Sequence, residues 1–465
     1  MTSHIPHFLE AYLTEYDDSL FGESYIDPIG TLIVWSALGR QVFDDRVNSV
    51  SNDVRNYTLN LFHHHLIRKL VLDDEVKLST SLRSQYGDKN ALAFKQACLI
   101  ILENLFVFSL LRHEERPGVE TIGVLGISKA RRRWDQEKER TQLIFTHESI
   151  GQILVRQLGL GVSGRYKTPL LKIGFFDKDY QYHLPRFQPC WSRAQAFICQ
   201  TGHSALARLE DAVYRFLKEQ ILTLRHKGSI LFESVPRPLS KDYAAAFGSS
   251  PAVGAYARDF WLAETGLDTG AAGAIFDVLL ADGNGDANAR EIVERAIEHA
   301  MQPEDKAKLE QIARVEPFLA DCALLFSLMT SDRQCTVDAV TETWRDAFCR
   351  GDSHLPELAD RAGDIMRLPA LNGTRAGLRF VALQQAARAG NTQEQVRALT
   401  KYHGLVMKGR NQSAWLSIED GTKIKVHART AAAPQPTNRP PGSWINNYYL
   451  PQFISLVNGL QGVGI

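Results

Sequence analysis

The chain has 465 residues, 44% hydrophobic, 23% charged and 9% aromatic, with 53 Lys plus Arg against 53 Asp plus Glu. This is the composition of a soluble globular protein long enough for several domains, and it excludes disordered and collagen-like classes. The net charge of zero says nothing about partners, which must be read from how charge is distributed.

The N-terminus, MTSHIPHFLEAYLTEYDD, has no basic start followed by an apolar run, so no signal peptide is expected. Apolar residues then recur at three- and four-residue spacing in TLIVWSALGRQVF, VRNYTLNLFHHHLIRKLV and ALAFKQACLIILENLFVFSLL. Asp27-Pro28 and Ser51-Asn52-Asp53 supply helix starts. These features predict a helical domain over 1–115. The third run carries Lys95, Gln96, Glu103 and Asn104, which lipid disfavours, so it reads as a buried core helix and no membrane contact is expected. His63, His64 and His65 lie about 100° apart on a helix and cannot share one metal.

Residues 116–235 read as a mixed α/β-hairpin basic region. ETIGVLGI predicts a short strand, ARRRWDQEKERTQL a charged helix, and HESIGQILVRQLGL an amphipathic helix. LLKIGFFDKDYQYHL predicts a hairpin around Asp177-Lys178-Asp179. SALARLEDAVYRFLKEQILTLRHKG predicts a long helix stopped by Gly228. SVPRPLS marks a boundary, and 236–395 reads as an Ala-rich, acidic helical domain. Within it, 259–321 holds 14 acids against 5 bases. Residues 396–430 predict helix, turn, strand, Asp420-Gly421 turn and strand. A Pro-rich linker (431–443) and an aromatic C-terminal helix (444–465) follow, the last docked on the body. The fold class is therefore mainly α and multidomain, with small β-hairpin insertions.

Two regions concentrate cations. Residues 128–172 hold 10 Lys or Arg against 4 acids, with Lys129, Arg131, Arg132 and Arg133 beside Trp134. Arg165, Tyr166, Lys167 and Lys172 follow in the same region. Cations that neutralise phosphates, next to aromatics that stack on bases, predict DNA or RNA contact. Arg397 to Arg429 holds 7 cations against 2 acids. There a helix and a charged hairpin resemble the recognition helix and wing of a winged-helix module. The resemblance, one of architecture, implies that Arg397, Lys401, Lys408 and Arg410 lie on the helix and its exit, with Lys423, Lys425 and Arg429 on the wing.

Catalytic patterns fail on context. Gly159, Gly161 and Gly164 make GxGxxG, but a helix precedes them and Pro169 interrupts the helix that should follow. Arg165-Tyr166 separate the last glycine from Lys167-Thr168, so the Walker pattern fails too. The GISKA stretch lacks the second glycine of a nucleophile elbow, and Ser128 reads as a helix N-cap. Asp282, Asn284, Asp286 and Asn288 alternate as in a calcium loop, but Ala287 and Val293 occupy its glycine and glutamate positions. The six cysteines show no metal spacing and read as buried free thiols of a cytoplasmic protein. No cofactor, metal or small-molecule ligand is expected. The expected function is a non-catalytic nucleic-acid-binding or scaffold subunit, with other protein subunits as partners. A bacterial DNA-processing or phage-defence assembly is the expected setting. The alternatives are a divergent nuclease or hydrolase with a dispersed active site, and a purely protein-binding adaptor.

Overall fold

The computed structural model describes residues 27–200, 204–282 and 287–463. The N-terminal 26 residues and most of the calcium-like pattern, Asn284 and Asp286 included, lie outside the described residues. The chain begins with α1 (Leu32–Phe43), α2 (Val54–Leu72), α3 (Thr80–Tyr86), α4 (Leu92–Arg112), α5 (Ile127–Glu137) and β1 (Gln142–Ile144). Three short helices follow: α6 (Gln157–Leu160), α7 (Val162–Arg165) and α8 (Lys167–Ile173). Next come α9 (Gln188–Ile198), α10 (Ser204–Thr223), β2 (Ser229–Leu231), α11 (Arg237–Phe247) and α12 (Ser250–Thr265). The acidic region forms α13 (Gly270–Asp282), α14 (Ala289–His299) and α15 (Pro303–Met329). Then come β3 (Gln334–Thr336), α16 (Val337–Glu342), α17 (His354–Ala362) and α18 (Arg375–Ala387). The chain closes with α19 (Thr392–Lys408), β4 (Leu416–Glu419), β5 (Lys423–Val426) and α20 (Leu450–Leu460). The protein is mainly helical, with small sheets.

The described chain divides into two compact units. The first comprises Asp45–Gly266 and the segment from Gln452 onward, and the second comprises Leu267–Pro451 and the segment ending at Asp44.

In the first unit, α2 and α4 form the centre. Asp53 caps α2 by accepting the Arg55 N–H at 2.8 Å. Sixteen of the 19 residues of α2 are buried, because α4, α9, α10 and α12 surround it. The three histidines diverge as their spacing requires. His63 faces the Tyr243 hydroxyl, His64 Nδ1 lies 2.7 Å from the Tyr182 hydroxyl, and His65 faces Glu210. Helix α4 is the one described helix long and apolar enough to cross a membrane, yet 94% of its apolar window is buried in protein. Three of its polar residues are engaged: Lys95 donates to the Tyr180 carbonyl, Asn104 to the Gly151 carbonyl, and Glu103 accepts from backbone and side chain.

Several local expectations fail in this unit. The expected hairpin at 170–184 is helix α8 followed by an Asx turn, in which Asp177 accepts the N–H groups of Asp179 and Gln181. The expected helix over 147–160 breaks into the short turn Ser149–Gly151 and α6. The expected strand at 120–127 contains turns, and Gly126 rather than Ser128 holds the N-cap of α5, at φ 81°. Helix α10 ends at Thr223, before Gly228. Here β1 pairs antiparallel with β2, a strand 85 residues further on, which local periodicity does not reveal.

In the second unit, α15 is the central helix, contacting α1, α13, α14, α16, α17 and α19. A capping box starts α14, with Asn288 accepting the Glu291 N–H and the Glu291 carboxylate accepting the Asn288 N–H. The C-terminal aromatic segment is docked, as expected. Glu316 on α15 accepts from the N–H groups of Ile445 and Asn446, the Asn446 amide and the Tyr448 hydroxyl. Trp35 packs against Tyr448 and Tyr449 at 6.0 and 5.3 Å. Asp321 and Arg350 form a fully buried two-bond ion pair that His354 joins at 2.6 Å. Burial pushes the Asp321 carboxyl up, but its bonds to His354 and Arg350 outweigh burial and hold it below the ordinary carboxylate value.

Candidate nucleic-acid interface

The glycine-rich stretch is an anion cradle filled by the protein itself. The Ser163 N–H donates to Glu103 Oε1 at 2.7 Å, and the Gln157 amide donates to Glu103 Oε2 at 3.0 Å. A Cβ at Gly161 would stand 2.5 Å from the same carboxylate. Burial pushes the Glu103 carboxyl up, while these bonds oppose the shift. The nearby cations are also engaged. Arg165 Nε donates to the Leu160 carbonyl, Lys167 to the Lys178 carbonyl, and Lys172 pairs with Asp45 at 2.9 Å. Tyr166 is a core residue, 1% exposed, packed edge-on to Tyr57 with its hydroxyl accepting the Asp53 N–H. Its ring has no free face for a base.

Helix α5 carries the first basic face. Arg131 turns away from that face and makes a two-bond ion pair with Glu114. Trp134 packs against Phe108 and Phe232, at 6.3 and 5.7 Å. Lys129, Arg132 and Arg133 stand at i, i+3 and i+4, and so share one side of the helix. Lys129 donates to the Gln152 carbonyl at 2.6 Å. Its amine is pulled down by partial burial and by repulsion from Arg133 and Arg132. Among the described residues, no carboxylate lies within ion-pair distance of those two arginines.

Helix α19 and the hairpin carry the second. Val396, Leu399, Tyr402, His403, Val406 and Met407 turn inward, leaving Arg397, Lys401, Gly404, Leu405 and Lys408 on the outer stripe. Three residues, 420–422, join the strands; Asp420 at φ 51° and Gly421 at φ 73° are both left-handed at the centre of a β-turn closed by the Thr422 N–H on the Glu419 carbonyl. Strand β3 joins the hairpin, giving the order β3-β5-β4, with Thr336 opposite Lys423 and Gln334 opposite Lys425. The inner side of this sheet holds Leu416, Ile424 and Val426, while Lys423 and Lys425 stand on the outer side. Arg397 Nε reaches the Gly421 carbonyl at 3.2 Å and ties the helix to the turn. Lys425 is paired with Glu419 at 3.2 Å. Among the described residues, no carboxylate pairs with Arg397, Lys401, Lys408 or Lys423. Arg410 differs: it binds the Asp27 carbonyl and carboxylate, and so anchors the start of α1.

Sequence reasoning missed β3, whose three residues are too few for a period-2 signal. It also missed Gly404, although its spacing from Arg397 and Lys401 places it on the stripe.

A cleft of about 360 Å³ in the first unit, between α2, the end of α9 and α10, is neutralised internally. Glu210 is held by Lys69 and His65, and Asp73 by Lys218 and Tyr214. Burial and Glu210 push the Cys199 thiol at this cleft up, away from the reactive thiolate. Cys199 and Cys349 are exposed rather than buried, unlike Cys98, Cys190 and Cys322. Among the described residues, no cluster of three or more His, Cys, Asp or Glu is placed to hold a metal. No family model, curated protein or solved structure matches this chain.

Proposed function

We propose that the protein is a non-catalytic, nucleic-acid-binding or scaffold subunit of a larger assembly, and that the α19–hairpin face of the second unit is its main contact. The observation that carries this reading is the set Arg397, Lys401, Lys408 and Lys423, the first half-buried and the three lysines exposed, all without carboxylate partners among the described residues, on one helix–sheet element. Uncompensated cations at fixed spacing suit a polyanion, because each phosphate neutralised releases condensed counterions. We read α15, β3, α16, α19, β4 and β5 as one winged-helix-like module. The contacts of α19 with α15, α16 and β4, and of β3 with β5, support this reading. The α5 face of the first unit supplies a second phosphate contact through Arg132 and Arg133.

Fluorescence anisotropy with labelled nucleic acid tests the proposal. Lys401→Ala with Lys408→Ala should weaken binding about equally for all sequences. An unchanged affinity would remove this face from the account. Leu405, 69% exposed within the stripe, favours a second reading, a protein-docking face. Under that reading Leu405→Ser abolishes partner capture in nuclease-treated extract, whereas the two lysine changes leave it intact.

A further inference from the structure

Resting on the nucleic-acid reading above, we infer that the chain's own N-terminal segment, residues 7–23, docks on the α19 face and competes there with nucleic acid. Two features of that face call for one occupant. Lys401, Lys408 and Lys423 are exposed cations without carboxylate partners among the described residues. Leu405 stands between the first two on the same stripe and is 69% exposed. A phosphate backbone satisfies the lysines and leaves the leucine in water. An acidic segment that also carries apolar residues satisfies both. Residues 1–26 have that chemistry. They hold Glu10, Glu15, Asp17, Asp18 and Glu23 and no Lys or Arg. Leu9, Leu13, Tyr16 and Leu20 recur among these acids at the spacing that gathers residues on one side of a helix. Leu9 to Leu20 covers as many residues as Arg397 to Lys408, a stripe about 16 Å long at 1.5 Å per residue.

The start of the described chain sets where this segment leaves the second unit. Arg410, at the exit of α19, binds the Asp27 carbonyl and carboxylate. The Tyr402 hydroxyl donates to the Ile29 carbonyl at 2.7 Å, and His403 Nδ1 lies 2.8 Å from the Pro28 carbonyl. The chain ahead of Asp27 therefore departs beside the C-terminal end of α19, the end that carries Lys408. From Asp27 back to Leu20 it can reach up to about 25 Å. That is enough to round a helix about 10–12 Å across and return along its outer stripe. A tether this short holds the segment at an effective concentration of about a millimolar. An affinity of about 0.1 mM for the free segment then gives about nine-tenths occupancy and weakens a competing ligand about tenfold.

The test uses the full-length chain. A benzoylphenylalanine photo-crosslinker placed at Tyr16 should join residues 396–410 of the same chain, as read by mass spectrometry. In parallel, a variant with Glu10→Gln, Glu15→Gln, Asp17→Asn and Asp18→Asn should keep its thermal melt and bind a labelled DNA duplex about tenfold more tightly than the native chain. Leu9→Ser with Leu13→Ser keeps every charge and should still raise duplex affinity at least about threefold. No change in that variant would show that the acids act by general repulsion, and would overturn docking. Crosslinks elsewhere, only between chains or absent would overturn it too. Crosslinks to α19 with equal duplex affinity in all three proteins would overturn the competition. Absence of duplex binding by every protein would overturn the nucleic-acid reading and the competition with it, while crosslinks at 396–410 would still uphold the docking.

Discussion

The three glycines of the LGLGVSG stretch should respond very differently to alanine, and the order follows from what each added methyl would touch. At Gly159 a Cβ meets nothing within 4 Å, and the residue lies inside α6. Gly159→Ala should therefore stabilise by about 0.5–1 kcal/mol through the higher helix propensity of alanine. At Gly161 the Cβ would stand 2.5 Å from both the Gln157 carbonyl and the Glu103 carboxylate. Gly161→Ala overpacks the filled cradle and should cost about 1–3 kcal/mol. At Gly164 the Cβ would run into the backbone carbonyl and Cα of Gly159, which cannot give way as a side chain can. Gly164→Ala should cost about 3 kcal/mol, the top of the overpacking range. Urea denaturation of the three variants, read at the midpoint of the first transition with slopes compared, measures these differences. A nucleotide-binding loop predicts another pattern, in which the first glycine is needed for the turn and its loss abolishes ligand binding. Three equal effects, or Gly159→Ala as the most damaging change, would refute the self-filled cradle.

The remaining predictions concern protons, buried charge and the C-terminal segment. Burial pulls the His63 imidazole down from its ordinary 6.5 to about 3. The unfolded chain therefore takes up the proton first. Stability is complete above pH 6.5 and falls as pH drops from there toward about 3. At pH 5 the loss from this residue alone should be about 2 kcal/mol relative to pH 8. Denaturation midpoints at the two pH values check this, and His63→Phe should reduce the difference. Removing Arg350 strands the Asp321 carboxylate, so Arg350→Met should cost about 3–5 kcal/mol, much of it recovered when Asp321→Leu is added. A double variant no better than the single one would contradict the charge argument. Glu316→Ala orphans the N–H groups of Ile445 and Asn446 and the Tyr448 hydroxyl. It should make 440–450 the first site of limited proteolysis, at a cost of about 2–4 kcal/mol. An unchanged digestion pattern would show that the aromatic contacts alone hold the segment.

The long elements were legible in the sequence because their periodicity is strong and their partners are numerous. Helices α2, α4 and α19 and the Asp420-Gly421 hairpin fall where apolar spacing and turn chemistry place them. Residues 116–235 were legible only in part. Their short helices α6, α7 and α8 are set by Glu103 filling a cradle and by Tyr166 entering the core, and both are tertiary events. Strands β1 and β3 are three residues long and gain their identity from distant partners, β2 and β5. For the same reason, sequence charge overcounts the candidate interface. Arg131, Arg410 and Lys172 read as free cations until Glu114, Asp27 and Asp45 appear beside them. Trp134 and Tyr166 read as stacking rings until their inward packing is seen.

The most direct test of the account is the salt dependence of DNA-duplex binding by the full chain. Plotted as log affinity against log salt, the four uncompensated cations of the α19–hairpin face predict a slope of about −3 to −4, falling by about one in magnitude with Lys401→Ala. A slope near zero, or no binding at low salt, would contradict the claim that these cations hold nucleic acid.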